Sequence, residues 1–538
     1  MAYAITQSCC NDATCVSVCP VNCIHPTPDD PDFGRTDMLY IDPRTCIDCG
    51  ACADACPVDA IFPVDLLGTS NFQYAEINRQ HFENAGTDPN WDAPTFPRPI
   101  PAGVGPLRVA IVGTGPAASY AAQDLLRHGD IELTMIDRIP LPGGLIRYGV
   151  APDHPSTKKI GDTFGHIYQH PRVAVHTNVE VGADIEHADL AAHHHAVIYA
   201  VGAKTDRSLG IPGEDLPGSM PATDLVGWYN AHPDVPAAAV ALTAERAVVV
   251  GTGNVALDVA RVLLSDPAEL AGTDIADHAL EALRGSTIRE VVLLGRRGPE
   301  HAAYTRPELV ALLRMPGVEL VVDNQPGVRE AITTAPAGSK AALLRDAAIR
   351  SMDWPESPAP GRRIVLRFHT SPTEFTGSDR VDGVRVGSTA GSEITELIPT
   401  GLAIRSIGYR GTPVPGLPFD EHTGTMPNTA GRVVDGIYVV GWIKRGPSGG
   451  IGTNRSCAAE TVRSLLDDAA AGRLARPAHS AKDFARLVRR RKPESLRRKD
   501  ILAIDRAERR RGAESSRPRV KFATVTDLLG ARERFTKR

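Results

Sequence analysis

Aromatic residues make up only 5% of this 538-residue chain, and no apolar run nears the ~20 residues that cross a bilayer. Segments such as VAIVG (109–113) and AVVVG (247–251) have strand length and no more. The first residues lack a basic n-region and an apolar h-region, so no secretory signal is expected and a cytoplasmic setting is. Beyond residue 56 cysteine is almost missing. Cys457 stands alone there, without the C-x-x-C partner of a disulfide reductase. Basic residues are scarce at the start: residues 1–105 hold 4 Lys/Arg against 14 Asp/Glu, a net −10. The scarcity is reversed at the end, where residues 471–538 hold 22 Lys/Arg against 8 Asp/Glu, a net +14. Such asymmetry fits an acidic module facing a basic one, or a basic tail for nucleic acid or membrane. At roughly 100–200 residues per domain, the chain should hold about three to five units.

Nine of the ten cysteines fall between residues 9 and 56. Without a secretory context, metal ligation explains them better than disulfides. CIDCGACADACP (46–57) has the C-x₂-C-x₂-C-x₃-C-P spacing of bacterial iron–sulfur ferredoxins, in which the fourth cysteine serves the other cluster. Zinc also binds paired C-x₂-C motifs, but the triple spacing with a terminal proline argues for iron. The earlier run repeats the pattern with Cys9, Asp12, Cys15, Cys19 and Pro20, an aspartate standing in the second ligand position. A carboxylate is the harder, poorer partner for iron in a sulfide cluster. Either Asp12 ligates a labile iron of a [4Fe–4S] cluster, or that iron is missing and [3Fe–4S] remains. The favoured assignment is [3Fe–4S] on Cys9, Cys15 and Cys56, and [4Fe–4S] on Cys19, Cys46, Cys49 and Cys52. Cys10 is a spare thiol.

Two strand–glycine–helix units follow a Pro/Gly stretch, PTFPRPIPAGVGP (94–106). In the first, Gly113, Gly115 and Ala118 take the places of a G-x-G-x-x-G/A turn, with Asp137 at the next strand end to accept ribose hydroxyls. In the second, Gly251, Gly253 and Ala256 take those places. Arg296 and Arg297 stand where the acid would be, so this site should prefer NADP(H) by pairing with the 2′-phosphate. Two such units imply two doubly wound α/β domains. His193–His195 are expected at the surface or a strand end.

VCPVNCIH and MLYIDPRTCIDCGACADACPVDAIF resemble seven-iron bacterial ferredoxins, in which a cysteine at the place of Cys23 is not a ligand. PGGLIRYGVAPDHPSTKK (142–159), GNVALDVAR (253–261), GRRGPEHAAYTRPEL (295–309) and GWIKRGPSGGIGTN (441–454) are similar, in this order, to motifs of adrenodoxin-reductase-type ferredoxin–NADP⁺ reductases. That resemblance runs from about residue 107 to the end, tail included, which speaks against a nucleic-acid role for the tail. The whole chain looks like the mycobacterial fusions of such a ferredoxin to such a reductase. The resemblance implies FAD at the first site, with Gly113, Gly115, Ala117, Ala118, Asp137, Leu145, Val181, Trp442, Gly449, Gly450 and Ile451 around it. It implies NADP at the second, with Gly251, Thr252, Gly253, Asn254, Val255, Arg296, Arg297, Glu308 and Gly449. Asp153 and His154 are brought near the flavin, and no general acid or base is required.

The expected layout is an α/β flavoprotein with two doubly wound, Rossmann-like dinucleotide-binding domains and a small α+β ferredoxin. Its boundaries are 1–64 ferredoxin, 65–106 linker, 107–205 with 402–538 FAD domain (471–538 its basic extension), and 206–401 NADP domain. The implied activity is electron transfer from NADPH through FAD and the clusters to an external acceptor protein, such as a ferredoxin, a P450 or a biosynthetic enzyme. The alternatives are an electron-input module resembling the glutamate synthase small subunit and an iron–sulfur redox sensor that binds nucleic acid.

Overall fold

In the first 63 residues, short apolar stretches pair at each end of the cysteine runs. Tyr3–Ile5 lies antiparallel to Ile61–Pro63, and Ile24–His25 antiparallel to Tyr40–Ile41. Each run wraps a short helical turn, Val16–Val18 or Ala51–Ala55. The computed structural model describes residues 2–69, 71–83, 106–391 and 395–536. The expected linker does not begin at residue 65. Gln73–His81 is a helix that buries Tyr74, Ile77 and Asn78 against the N-terminal module. Asn78 explains the attachment: its Oδ1 accepts from the backbone N–H of Ile5 and Ile41 at 3.2 and 2.9 Å, and its amide donates to Ile5 O at 2.8 Å. The Pro/Gly stretch lies almost wholly outside the described residues.

Each glycine-turn unit is a buried parallel sheet, as runs of β-branched residues without alternation require. The first sheet has the order Val173–Thr177, Ile131–Asp137, Leu107–Val112, Ala196–Tyr199, Ile437–Val439, closed by an antiparallel hairpin strand, Arg432–Val434. The second orders seven parallel strands around Arg246–Val250 and Glu290–Leu294. Leu402–Arg405 belongs to this second sheet, paired in parallel with Arg246–Val250, so the expected boundary at residue 402 falls one strand early. The chain crosses between the units as a two-stranded ribbon, Thr205–Asp206 against Tyr409–Arg410.

The basic C-terminal extension forms helices Ala481–Arg491, Arg498–Ala513 and Val525–Thr536. Phe484 of the first covers His193 and His194, which are buried rather than at the surface. Burial pushes His194 down to about 4. Several of the tail's cations pair with carboxylates of the body of the protein. Arg491 pairs with Asp189, Lys492 with Asp184, Arg509 with Asp162, Arg517 with Asp277 and Lys521 with Asp274.

Candidate functional site

Both glycine turns open at the carboxyl ends of their sheets, at the point where strand order reverses and ligands bind in such folds. Gly113 follows Leu107–Val112 with φ of 113°, and a Cβ there would sit 2.4 Å from the carbonyl oxygen of Ala200. Gly251 repeats the arrangement with φ of 126° and 2.2 Å to Ser406 O. No other residue fits either place. Helices Pro116–Leu126 and Asn254–Leu264 start directly after the second glycine of each turn, leaving backbone N–H groups free for a pyrophosphate. The two turns share one cleft of about 2320 Å³.

Nearly all the expected dinucleotide residues line it: Gly113, Gly115, Ala117, Asp137, Leu145, Val181, Trp442, Gly449, Gly450 and Ile451 at one end, Gly251–Val255, Arg296, Arg297 and Glu308 at the other. Ala118 does not. It is fully buried behind the turn, where its small side chain lets helix and sheet approach. Asp137 accepts from Thr114 N at 2.8 Å, from the Thr114 hydroxyl and from Ile139 N at 2.9 Å. The acid therefore ties the turn to its strand end, and keeps acceptor capacity beyond these three bonds. Leu145 remains 45% exposed in the cleft. Trp442 stacks on Tyr409 at 5.2 Å and donates its indole N–H to Ser448 O. Leu145, Trp442 and Tyr409 supply the apolar surface an isoalloxazine would cover, and Tyr409 was not singled out in the sequence.

At the other end, Arg296 and Arg297 are exposed beyond Glu290–Leu294 and line the cleft. Deeper in, Arg261 is buried among Asp153, Asp258 and Glu308. Burial works to raise the Asp153 carboxyl, but Arg261 prevails and holds it below its usual range. Glu308 is pushed up, by burial first and then by Asp258. Ligand atoms of His154, Asp258 and Glu308 lie within 4.8 Å of one another, and Arg261 pairs with both acids. Asp258 and Arg261 lie at i and i+3 on one helix, a signal present in LDVAR but unread there.

The cysteines gather as two groups. Cys19, Cys46, Cys49 and Cys52 line a small apolar cavity with Cys23. Cys23 hydrogen-bonds both Cys19 and Cys46, lowering them to about 6 and about 5 while its own thiol is raised. Cys9, Cys15 and Cys56 form the second group: burial raises all three, Cys9 to about 12, and the Asp12 carboxylate adds to the rise in each. Cys9 and Cys10 also line the dinucleotide cleft. Asp12 is turned elsewhere: its carboxylate accepts from the Thr14 N–H and hydroxyl and lies 3.8 Å from Arg455.

The acidic module is docked in cis. Gly452 N donates to Cys10 O at 2.7 Å, and Arg455 to Asp12 O and the Thr14 hydroxyl at 2.8 and 3.0 Å. Lys159 pairs with Asp59, and Arg314 bonds Gln73. The module's apolar core is continuous with that of the first dinucleotide unit. The basic tail makes none of these contacts.

Comparison with known proteins finds matches in both the cysteine-rich and the dinucleotide-binding parts of the chain. Residues 107–294 match the family model "Pyridine nucleotide-disulphide oxidoreductase", and residues 39–62 the "4Fe-4S binding domain". The chain is 47% identical to a "Probable ferredoxin/ferredoxin--NADP reductase" of Mycobacterium tuberculosis, over 99% of this chain and 95% of the relative. It is 39% identical to the mitochondrial NADPH:adrenodoxin oxidoreductase of Arabidopsis thaliana, over 79% of this chain and 95% of that one. A solved structure of Mycobacterium tuberculosis FprA in complex with NADPH is 43% identical, with a TM-score of 0.73, covering 80% of this chain and 100% of that one.

Proposed function

From a chain that belongs to the family of ferredoxin–NADP reductases fused to their own ferredoxin, we propose the following reading of the cleft. It takes electrons from NADPH and passes them through the docked ferredoxin to an external acceptor protein, a separate ferredoxin, a P450 or a biosynthetic enzyme. One observation carries this: Cys9 and Cys10 share a single cleft with both glycine turns. FAD, when bound, accepts a hydride and releases electrons singly, which reconciles NADPH with one-electron centres. The first turn, Asp137, Leu145, Val181, Trp442 and the 449–451 loop hold it and exclude water. The second turn, Asn254, Arg296 and Arg297 orient NADPH by its phosphates, and Asp153 and His154 lie where the two ends meet.

The fit of the cysteines supports [4Fe–4S] on Cys19, Cys46, Cys49 and Cys52. For Cys9, Cys15 and Cys56 the engagement of Asp12 with Thr14 and Arg455 supports [3Fe–4S] over an aspartate-ligated cluster. Burial keeps the free thiols protonated, so assembly of iron there must release protons. Electron paramagnetic resonance of the isolated chain should show a three-iron signal that NADPH abolishes under anaerobic conditions. A three-iron signal that survives NADPH, in protein that still reduces ferricyanide, would rule out the cis path.

A further inference from the structure

The helix Arg306–Leu313 carries Glu308 in its first turn, and its N-cap residue Thr305 makes no side-chain cap bond. The N-terminal module does that work instead. Asp37 Oδ2 accepts from the Arg306 N–H at 2.9 Å, placing a carboxylate at the helix's positive end. The Tyr74 hydroxyl reaches Pro307 O at 3.5 Å. Gln7 Nε2 then donates to Glu308 Oε2 at 3.0 Å. Three consecutive residues of the reductase are gripped by the ferredoxin module, the last by its reactive group. Gln7 itself lines the cleft and stands two residues before Cys9.

Resting on the reductase reading, we propose that Gln7 is a positioning residue for the NADP end of the cleft: its amide fixes the Glu308 carboxylate, so that nicotinamide-nucleotide binding depends on the docked ferredoxin. Glu308 has few other anchors. Arg261 reaches it at 3.4 Å but is shared with Asp153 and Asp258, and Asp258 repels it. Without the amide, the carboxylate would turn from Asp258 and leave its place. No neutral group other than Gln7 holds it among the hydrogen bonds of the described residues.

The test uses the full-length holoprotein with Gln7→Leu, Glu308→Gln and the double variant. It measures the NADP⁺ dissociation constant, kcat and KM for NADPH with ferricyanide, and iron and flavin per chain. Gln7→Leu should keep its iron and flavin yet weaken NADP⁺ binding about three- to tenfold, the size of a typical net hydrogen bond. In the Glu308→Gln background the same change should add almost nothing, because the two groups act as a pair. Unchanged NADP⁺ affinity in Gln7→Leu, or losses that multiply independently, would overturn the proposal. Should Gln7→Leu lose iron, Gln7→Glu decides. Two carboxylates would then face each other and weaken binding, and Gln7→Glu/Glu308→Gln, which swaps amide and carboxylate, should recover it; failure to recover counts against the pair. A wild type that binds NADP⁺ but reduces no ferricyanide would sink the reductase reading, while the binding cycle would still judge Gln7.

Discussion

Arg296 and Arg297 stand at a strand end where an acid would have repelled a 2′-phosphate. Replacing both with alanine should raise KM for NADPH roughly ten- to hundredfold, each of these exposed bonds contributing about 0.5–1.5 kcal/mol, and leave NADH turnover unchanged. Steady-state ferricyanide reduction with the two nucleotides checks this. Asp12 is the sharper case. Because its carboxylate serves Thr14 and Arg455, Asp12→Ala should keep the same iron per chain and the same three-iron resonance. Loss of iron would make the carboxylate a ligand. At this scale the sequence was most readable where one residue type is obligatory: the first glycines of both turns, the cysteine spacing and the arginine pair. Gln7 and Arg455 were invisible because their partners lie hundreds of residues away, and nothing local marks a glutamine that meets a glutamate only after docking.

Among the elements, the C-terminal extension departs furthest from its appearance as a free basic tail. Lys521 inserts beside Lys158 of the first unit and Asp274 and Asn230 of the second. Arg147 and Arg519 meet on the buried carboxylate of Glu508. Burial acts to raise the Asp274 carboxyl, but Lys521 and Lys158 outweigh it and hold it well below its usual range. A depressed carboxyl contributes stability that is complete above its unfolded value of about 3.9 and is lost as pH falls through the lower folded value. Thermal midpoints measured from pH 7 to pH 3 should therefore drop in the wild type. Asp274→Asn should start about 3–5 kcal/mol less stable, with two buried lysines left unpaired, and vary less over that range. Strand and helix positions in the two glycine-turn units were legible from periodicity and length. The strand Leu402–Arg405 and the helix Gln73–His81 were not, since sheet membership and attachment to a neighbour are tertiary facts that no local pattern carries.

For the molecule as a whole, the acidic start and basic end suggested mutual docking, yet the tail neutralises its own neighbours. The ferredoxin is seated instead on Lys159, Arg306, Arg314, Gly452 and Arg455, over a shared apolar core. Tethered contacts of this kind resist screening. NADPH reduction of the clusters in cis should change by no more than about twofold between ~0.05 and ~0.5 M salt, whereas transfer to a separate acceptor protein, which must be found by diffusion, should slow markedly. Stopped-flow measurement of both steps tests the contrast, and a steep salt dependence of the internal step would refute it. Between the two dinucleotide units the chain crosses on one thin ribbon, Thr205–Asp206 with Tyr409–Arg410, a hinge that the ion pairs Lys158–Asp274 and Arg261–Asp153 already restrain. The ferredoxin spans that hinge: Arg455 and Lys159 anchor it to one unit, Arg306 and Gln7–Glu308 to the other. It is a splint as well as a relay. With the jaws braced, any wide opening of the cleft requires the ferredoxin to let go of one side and the ion pairs between the units to break.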